Sequence, residues 1–92
     1  MNIAFTYFAQ VRAATGVENE NLTLDDGADV DAAVASLVEK YGDAFAGVVV
    51  DDSGSRRPSI IVLVNGVPSP HGTSRPLKDG DAVSILSPVA GG

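Results

Sequence analysis

The stretch Asp29-Val30-Asp31-Ala32-Ala33-Val34-Ala35-Ser36-Leu37-Val38-Glu39-Lys40-Tyr41-Gly42 decides the fold. Val30, Ala33, Val34, Leu37, Val38 and Tyr41 recur at the three- and four-residue offsets of one helix face. Asp29 stands where a carboxylate can accept the first free N–H groups, and Gly42 stands where a left-handed residue closes the last turn. A single amphipathic helix over Val30 to Tyr41 is the result, and the sequence on either side of it reads as strands.

Upstream, Asn2 to Phe8 alternates with period two, placing Ile3, Phe5 and Tyr7 on one side and Ala4, Thr6 and Phe8 on the other, the pattern of a strand. Ala9 to Ala14 is rich in helix formers and stops at Thr15-Gly16, which predicts a short helical turn. Glu18 to Leu24 alternates again through Leu22 and Leu24, a second strand returning beside the first. Downstream, Val48-Val49-Val50 predicts a short strand before Asp51-Asp52-Ser53-Gly54-Ser55, a turn composition. Ile60 to Val64 is β-branched and apolar on both faces and meets Asn65-Gly66, a buried strand entering a tight turn. Pro68 to Pro76 is an irregular connection, Leu77 to Asp81 a turn, and Ala82 to Leu86 the last strand, with Val83 and Ile85 on one face. Pro88 ends the ladder because it has no N–H to donate.

Composition sets the outer bounds. At 92 residues the chain holds one core, and 45% hydrophobic against 20% charged residues is a globular balance. Twelve acidic against six basic residues give a net charge of -6, which repels phosphate backbones and anionic lipid surfaces, so neither nucleic acid nor membrane is an expected partner. No apolar run approaches a spanning length and the first residues form no signal-peptide block, so the expected location is cytoplasmic. With no cysteine, disulfides, thiolate metal sites and side-chain thiol chemistry are ruled out.

The chemistry points to the end of the chain. Ser87-Pro88-Val89-Ala90-Gly91-Gly92 holds too little apolar surface to pack back, so the reading is a domain over 1–86 and a flexible projecting tail over 87–92. Glycines without β-carbons pass through a narrow channel and accept whatever backbone angles it imposes, which suits insertion into a partner's active site. The group delivered is the α-carboxylate of Gly92, ionised at neutral pH and a poor electrophile until an activating enzyme attaches a leaving group. A terminal diglycine is also what a simple flexible end looks like, so the weight falls on its context.

That context is a resemblance. Tyr7-Phe8-Ala9-Gln10-Val11-Arg12-Ala13-Ala14-Thr15-Gly16, then Val64-Asn65-Gly66, Leu77-Lys78-Asp79-Gly80-Asp81 and Ser87-Pro88-Val89-Ala90-Gly91-Gly92 resemble, in order and spacing, the ubiquitin-like sulfur carriers, and most of all the small subunit of molybdopterin synthase (MoaD-like proteins). The resemblance implies an α+β, β-grasp fold, a mixed sheet of about five strands packed on one main helix. It also implies that Gly92 is adenylated, with ATP, by an enzyme related to ubiquitin E1, converted to a thiocarboxylate, and inserted into the synthase large subunit to supply sulfur to a pterin. The chain itself is then a carrier, not an enzyme, and binds no cofactor. Sulfur carried on a terminus needs no side-chain thiol, in keeping with the missing cysteines. Many members carry aromatic residues and two prolines where this chain has Ile85-Leu86-Ser87-Pro88, so partner contacts are expected to differ there. Thiamine-pathway carriers share the diglycine but are usually shorter and lack the phrase around Phe8 to Gly16. Carriers for cysteine biosynthesis or tRNA thiolation, and archaeal modifiers joined to target lysines, share length and tail, so the receiving pathway stays open.

Other candidates weigh less. Ile85 and Leu86, beside the tail, are the expected docking surface, since contiguous apolar area on a small domain often marks a partner site. His71, between Pro70 and Gly72, has no companion for metal or acid–base work and reads as a loop residue. Asp51-Asp52 and the pair Asp79 and Asp81 sit in turns where aspartate bonds locally. Arg12 is expected in an ion pair or at a helix end, and Arg56-Arg57 in a surface loop. Phe5, Tyr7, Phe8, Tyr41 and Phe45 read mostly as core.

Overall fold

The computed structural model describes residues 1–72 and 74–87. Eight elements follow in order: β1 (Asn2–Tyr7), α1 (Ala9–Thr15), β2 (Asn19–Thr23), α2 (Val30–Tyr41), α3 (Asp43–Val49), β3 (Ile61–Val64), β4 (Val67–Pro68) and β5 (Ala82–Leu86). One five-stranded sheet runs β2-β1-β5-β3-β4. β1 and β5 are parallel, with Phe5 opposite Val83 and Tyr7 opposite Ile85. The other neighbours are antiparallel, including Ile61 opposite Leu86 and Val62 opposite Ile85. The last strand in sequence is therefore the middle one in space. With α2 lying across one face of this mixed sheet, the architecture is a β-grasp.

The alternation expected of β1 is observed: Ile3, Phe5 and Tyr7 are fully buried. Helix α2 has the expected bounds and caps. The Asp29 carboxylate accepts from the Ala32 N–H at 2.8 Å, and the Gly42 N–H donates to the Val38 carbonyl at 2.7 Å. Leu37, at the centre of its apolar face, is fully buried. The short turn expected after β1 is a seven-residue helix, closed by Gly16 at φ 77°. Its length comes from packing: Val11 and Thr15, four residues apart, are both buried and hold a second turn in place.

The strand expected at Val48-Val49-Val50 does not form. Val48 and Val49 close α3, and Val50 keeps only an isolated bridge to Arg56. Gly42 ends one helix and begins the next, and Phe45 and Val49, at helical spacing, point into the core. Burial of these two side chains outweighs the β preference of three valines, which is a weak and context-dependent term.

The Asn65-Gly66 turn is observed with both residues at positive φ, 53° and 81°, the type I′ geometry that matches strand twist. It leads into β4, a two-residue edge strand inside the expected irregular connection. Pro68 is tolerated there because an edge strand needs no N–H on its outer side. Strand β3 is interior to the sheet, though its two faces differ: Val62 and Val64 are buried while Ile61 is 39% exposed.

Candidate functional site

The candidate site lies at the end of the central strand β5 (Ala82–Leu86). Val83 and Ile85 lie on the inner face of β5, Ser87 follows the strand in the same phase, and all three are buried. Two expectations change as a result. Ile85 is fully enclosed in the core and offers no docking surface. Ser87, expected to open the projecting tail, is 8% exposed and its Oγ is enclosed with no hydrogen-bond partner among the described residues. The period of two that carries Val83 inward carries Ser87 inward as well. Pro88, Val89, Ala90, Gly91 and Gly92 lie outside the described residues.

Leu86 takes the opposite face, half-buried, and there it has company. Ile61 is its cross-strand partner. Phe8, whose backbone N–H donates to the Ile85 carbonyl at 3.2 Å, continues the outward series Ala4 and Thr6 at the end of β1. Phe8 is 47% exposed and Ile61 39%. Further back on this face the positions are small: Ala4 opposite Ala82, and Thr6 opposite Ser84. The large apolar side chains thus gather across three strands at the end from which the tail departs. The signal was present in the sequence, since Phe8 and Ile61 fall in the outward phase of their strands, but nothing in either strand alone says that the two ends meet.

A second cluster fixes β1 beneath this edge. The Glu20 carboxylate on β2 accepts from Tyr7 Oη at 2.7 Å, from Tyr41 Oη, and from Lys40 Nζ at 2.6 Å. Two strands and α2 are joined through one residue. Burial by itself raises the Glu20 pKa, but the bonds from Lys40, Tyr41 and Tyr7 outweigh it and hold the carboxyl below its ordinary value. The same arrangement pushes both phenols up, through burial first and the Glu20 bond second. No group of this cluster is poised near neutrality, so it is a clamp and not an acid–base centre.

The remaining candidates are structural. Asp51 accepts from Ser53 Oγ at 2.6 Å and from the N–H groups of Ser53 and Ser55, which hold its carboxyl below the ordinary value. Asp79 accepts the Asn2 N–H at 2.7 Å. Asp81 takes Asn65 Nδ2 at 2.9 Å and the Lys78 N–H at 2.8 Å, tying two turns together. His71 is exposed, its Nε2 set 2.9 Å from the Arg57 carbonyl, which requires that nitrogen to carry the proton. Arg12 lies 3.9 Å from Glu18 in an exposed ion pair. A cavity of about 470 Å³ is lined by Asp31, Val34, Ser55, Arg56, His71 and Ser74, and takes nothing from β5 or the outer sheet face. Among the described residues no group of histidine, aspartate and glutamate could hold a metal ion, and no helix is long and apolar enough to cross a membrane.

Known proteins share this arrangement end to end. The sequence profile of the ThiS family matches residues 5–92. Small archaeal modifier protein 3 of Haloferax volcanii is 38% identical over 94 residues, covering all of both chains. The crystal structure of SAMP1 from Haloferax volcanii superposes with a TM-score of 0.88 at 27% identity, again over the whole of both chains. A chain of the Helicobacter pylori complex of subunits 1 and 2 of molybdopterin-converting factor does so with a TM-score of 0.59 at 28% identity, over all of both chains. The chain belongs to the ThiS family, the ThiS and MoaD group of ubiquitin-like sulfur-carrier domains.

Proposed function

We propose that this protein is a cytoplasmic carrier whose reactive group is the C-terminal carboxylate of Gly92, activated by a partner and handed on. The observation that supports this most is the full-length match to a small archaeal modifier together with a sequence that runs from the central strand into Pro88-Val89-Ala90-Gly91-Gly92. The chemistry has two steps. Attack of the carboxylate on ATP, within an adenylating enzyme related to ubiquitin E1, gives an acyl-adenylate and releases pyrophosphate. A nucleophile then displaces AMP from the carbonyl carbon. Residues 1–87 dock and residues 88–92 enter the partner's site. The apolar edge of Phe8, Ile61 and Leu86 is the surface a partner would cover. The chain binds no cofactor and contributes no catalytic side chain of its own.

The nucleophile decides the outcome. A sulfur nucleophile yields a thiocarboxylate, the form in which the chain would serve a molybdopterin synthase large subunit or another sulfur acceptor. Similarity to a molybdopterin-converting factor chain favours that use. An amine yields an amide on a target lysine, and similarity to a small archaeal modifier favours that one.

Intact mass after incubation with the activating enzyme, ATP and a sulfur source separates the two. A gain of roughly 16 Da marks exchange of oxygen for sulfur at the acyl group. Digested cell protein carrying tail-derived branches on lysine marks conjugation. If neither product forms, and deleting Gly91 and Gly92 leaves the cellular phenotype unchanged, the carrier reading fails.

A further inference from the structure

We propose that Asn65 is a covalent modification site: its carboxamide latches the turn after β3 to the start of β5, and loss of ammonia from it, once the turn opens, releases that latch irreversibly. The sequence holds four asparagines, and only Asn65 is followed by glycine. A backbone nitrogen with no β-carbon beside it is the one best able to reach the side chain that precedes it. Asn65 and Gly66 are both exposed, so water has access to the pair.

The latch consists of three hydrogen bonds. The Asn65 backbone N–H donates to the Ala82 carbonyl at 2.7 Å, and the Ala82 N–H donates in return to Asn65 Oδ1 at 2.9 Å. Pairing of β3 with β5 ends at Val64 opposite Val83. The carboxamide oxygen therefore carries the ladder one residue further, in the place where a main-chain carbonyl would ordinarily accept. Asn65 Nδ2 donates to Asp81 Oδ1 at 2.9 Å, while Asp81 Oδ2 accepts the Lys78 N–H at 2.8 Å. The middle strand of the sheet thus begins on a clasp made by two turns.

The same bonds protect the amide. Cyclisation needs the Gly66 nitrogen at Asn65 Cγ, and a carboxamide tied to β5 through both its oxygen and its nitrogen has to release both before it can turn. In the opened turn the Gly66 nitrogen attacks Cγ and gives its proton to solvent. The new C–N bond closes a succinimide, the Cγ–Nδ2 bond breaks, and the nitrogen takes up a proton and leaves as ammonia. Water then adds at one of the two ring carbonyl carbons, the bond from that carbon to the ring nitrogen breaks, and the nitrogen regains its hydrogen. The product is aspartate linked through its α- or its β-carboxyl. The β-linked form lengthens the main chain by one carbon, which a two-residue turn does not accommodate. In the α-linked form an oxygen replaces Nδ2 at 2.9 Å from Asp81 Oδ1, so a hydrogen bond becomes a contact between like charges. The Asn65 bond is the largest influence holding the Asp81 carboxyl below its ordinary value, ahead of the Lys78 N–H and of the charges on Arg75 and Lys78.

Two measurements on the full chain test this. The chain is kept near neutral pH, folded and in concentrated urea, and exchange of the side-chain NH₂ for OH at Asn65 is followed by peptide mass spectrometry. The folded chain is expected to react about tenfold or more slowly, since reaction waits on local opening; equal rates overturn the proposal. Urea unfolding then compares wild type, N65D and N65D/D81N, the last with carboxylate and amide exchanged in place. N65D should unfold at lower urea than wild type at neutral pH, and the double variant should recover most of the loss. The two carboxylates repel only while both are ionised, so the deficit of N65D should shrink below about pH 4. A deficit that stays constant with pH, or that the double variant does not reduce, overturns the proposal. Should N65D fail to fold, folding of the double variant supports it and failure of both overturns it.

Discussion

Replacement of Glu20 by glutamine keeps the side-chain shape and removes one acceptor and the charge. Tyr7 and Tyr41 both donate to Oε2, and Lys40 donates to Oε1. Whichever way the amide is turned, its NH₂ faces at least one donor. Either Lys40 loses a charge-assisted bond, or both phenols lose their acceptor, with Tyr7 fully buried. Hydrogen bonds to a charged group contribute about 1.5–3 kcal/mol each, and a buried donor left unpaired costs about 1–3 kcal/mol. The expected loss at pH 7 is therefore about 2–3 kcal/mol, which for a domain of this size lowers Tm by roughly 10–20 °C. The assay is urea unfolding of both proteins across pH. Because the folded Glu20 pKa is lowered, its contribution is present above the unfolded value of 4.5 and disappears as pH falls through the folded value. The gap between the proteins should narrow in acid, where the wild-type carboxyl is also protonated. A gap under about 0.5 kcal/mol at pH 7, the range of ordinary surface substitutions, or one that stays constant down to pH 2, refutes the reasoning.

Three further outcomes follow from the same coordinates. Ile85→Ala, in the core, should cost about 2–5 kcal/mol in denaturant unfolding. Ile61→Asp, on the outer face opposite Leu86, should change stability far less, yet weaken binding to the activating enzyme about tenfold or more in a titration, since central apolar contacts dominate protein interfaces. Gly42→Ala should cost on the order of 1–3 kcal/mol by thermal unfolding, because φ 72° with ψ -148° belongs to glycine; an added β-carbon meets nothing within 4 Å, so the cost is backbone strain and not collision.

Much of the fold is local and so was legible in the sequence. The caps and bounds of α2 depend on Asp29, Gly42 and one apolar face. The inward set of β1 depends on alternation, and the Asn65-Gly66 turn on two residues that accept positive φ. What eluded sequence reasoning depends on tertiary contact. Val48 to Val50 carry β-branched side chains, and only the packed core shows that Phe45 and Val49 are wanted together on a helix. Ile85 was placed correctly on a strand face with Val83, but which face looks inward is set by α2 on the far side of the sheet. The Glu20 clamp has no sequence signature, because Tyr7, Glu20, Lys40 and Tyr41 come from three elements. The chemistry proposed for Gly92 was the reverse case: it rests on the sequence, outside the described residues, and the structure adds the apolar edge at the end of β5.

The position of β5 has a consequence for how the protein is made. On the ribosome, β1 and β3 emerge well before residues 82–86 and have no neighbour to pair with on the side that β5 will fill. Until that strand arrives the nascent sheet is two separate pieces with open edges, the state most exposed to aggregation and proteolysis. A chain interrupted before Ala82 cannot complete its middle, and it also lacks the terminus proposed as the reactive group. Placing β5 at the centre ties completion of the sheet to synthesis of nearly the whole chain, and so to the stretch that leads into the terminus proposed to react.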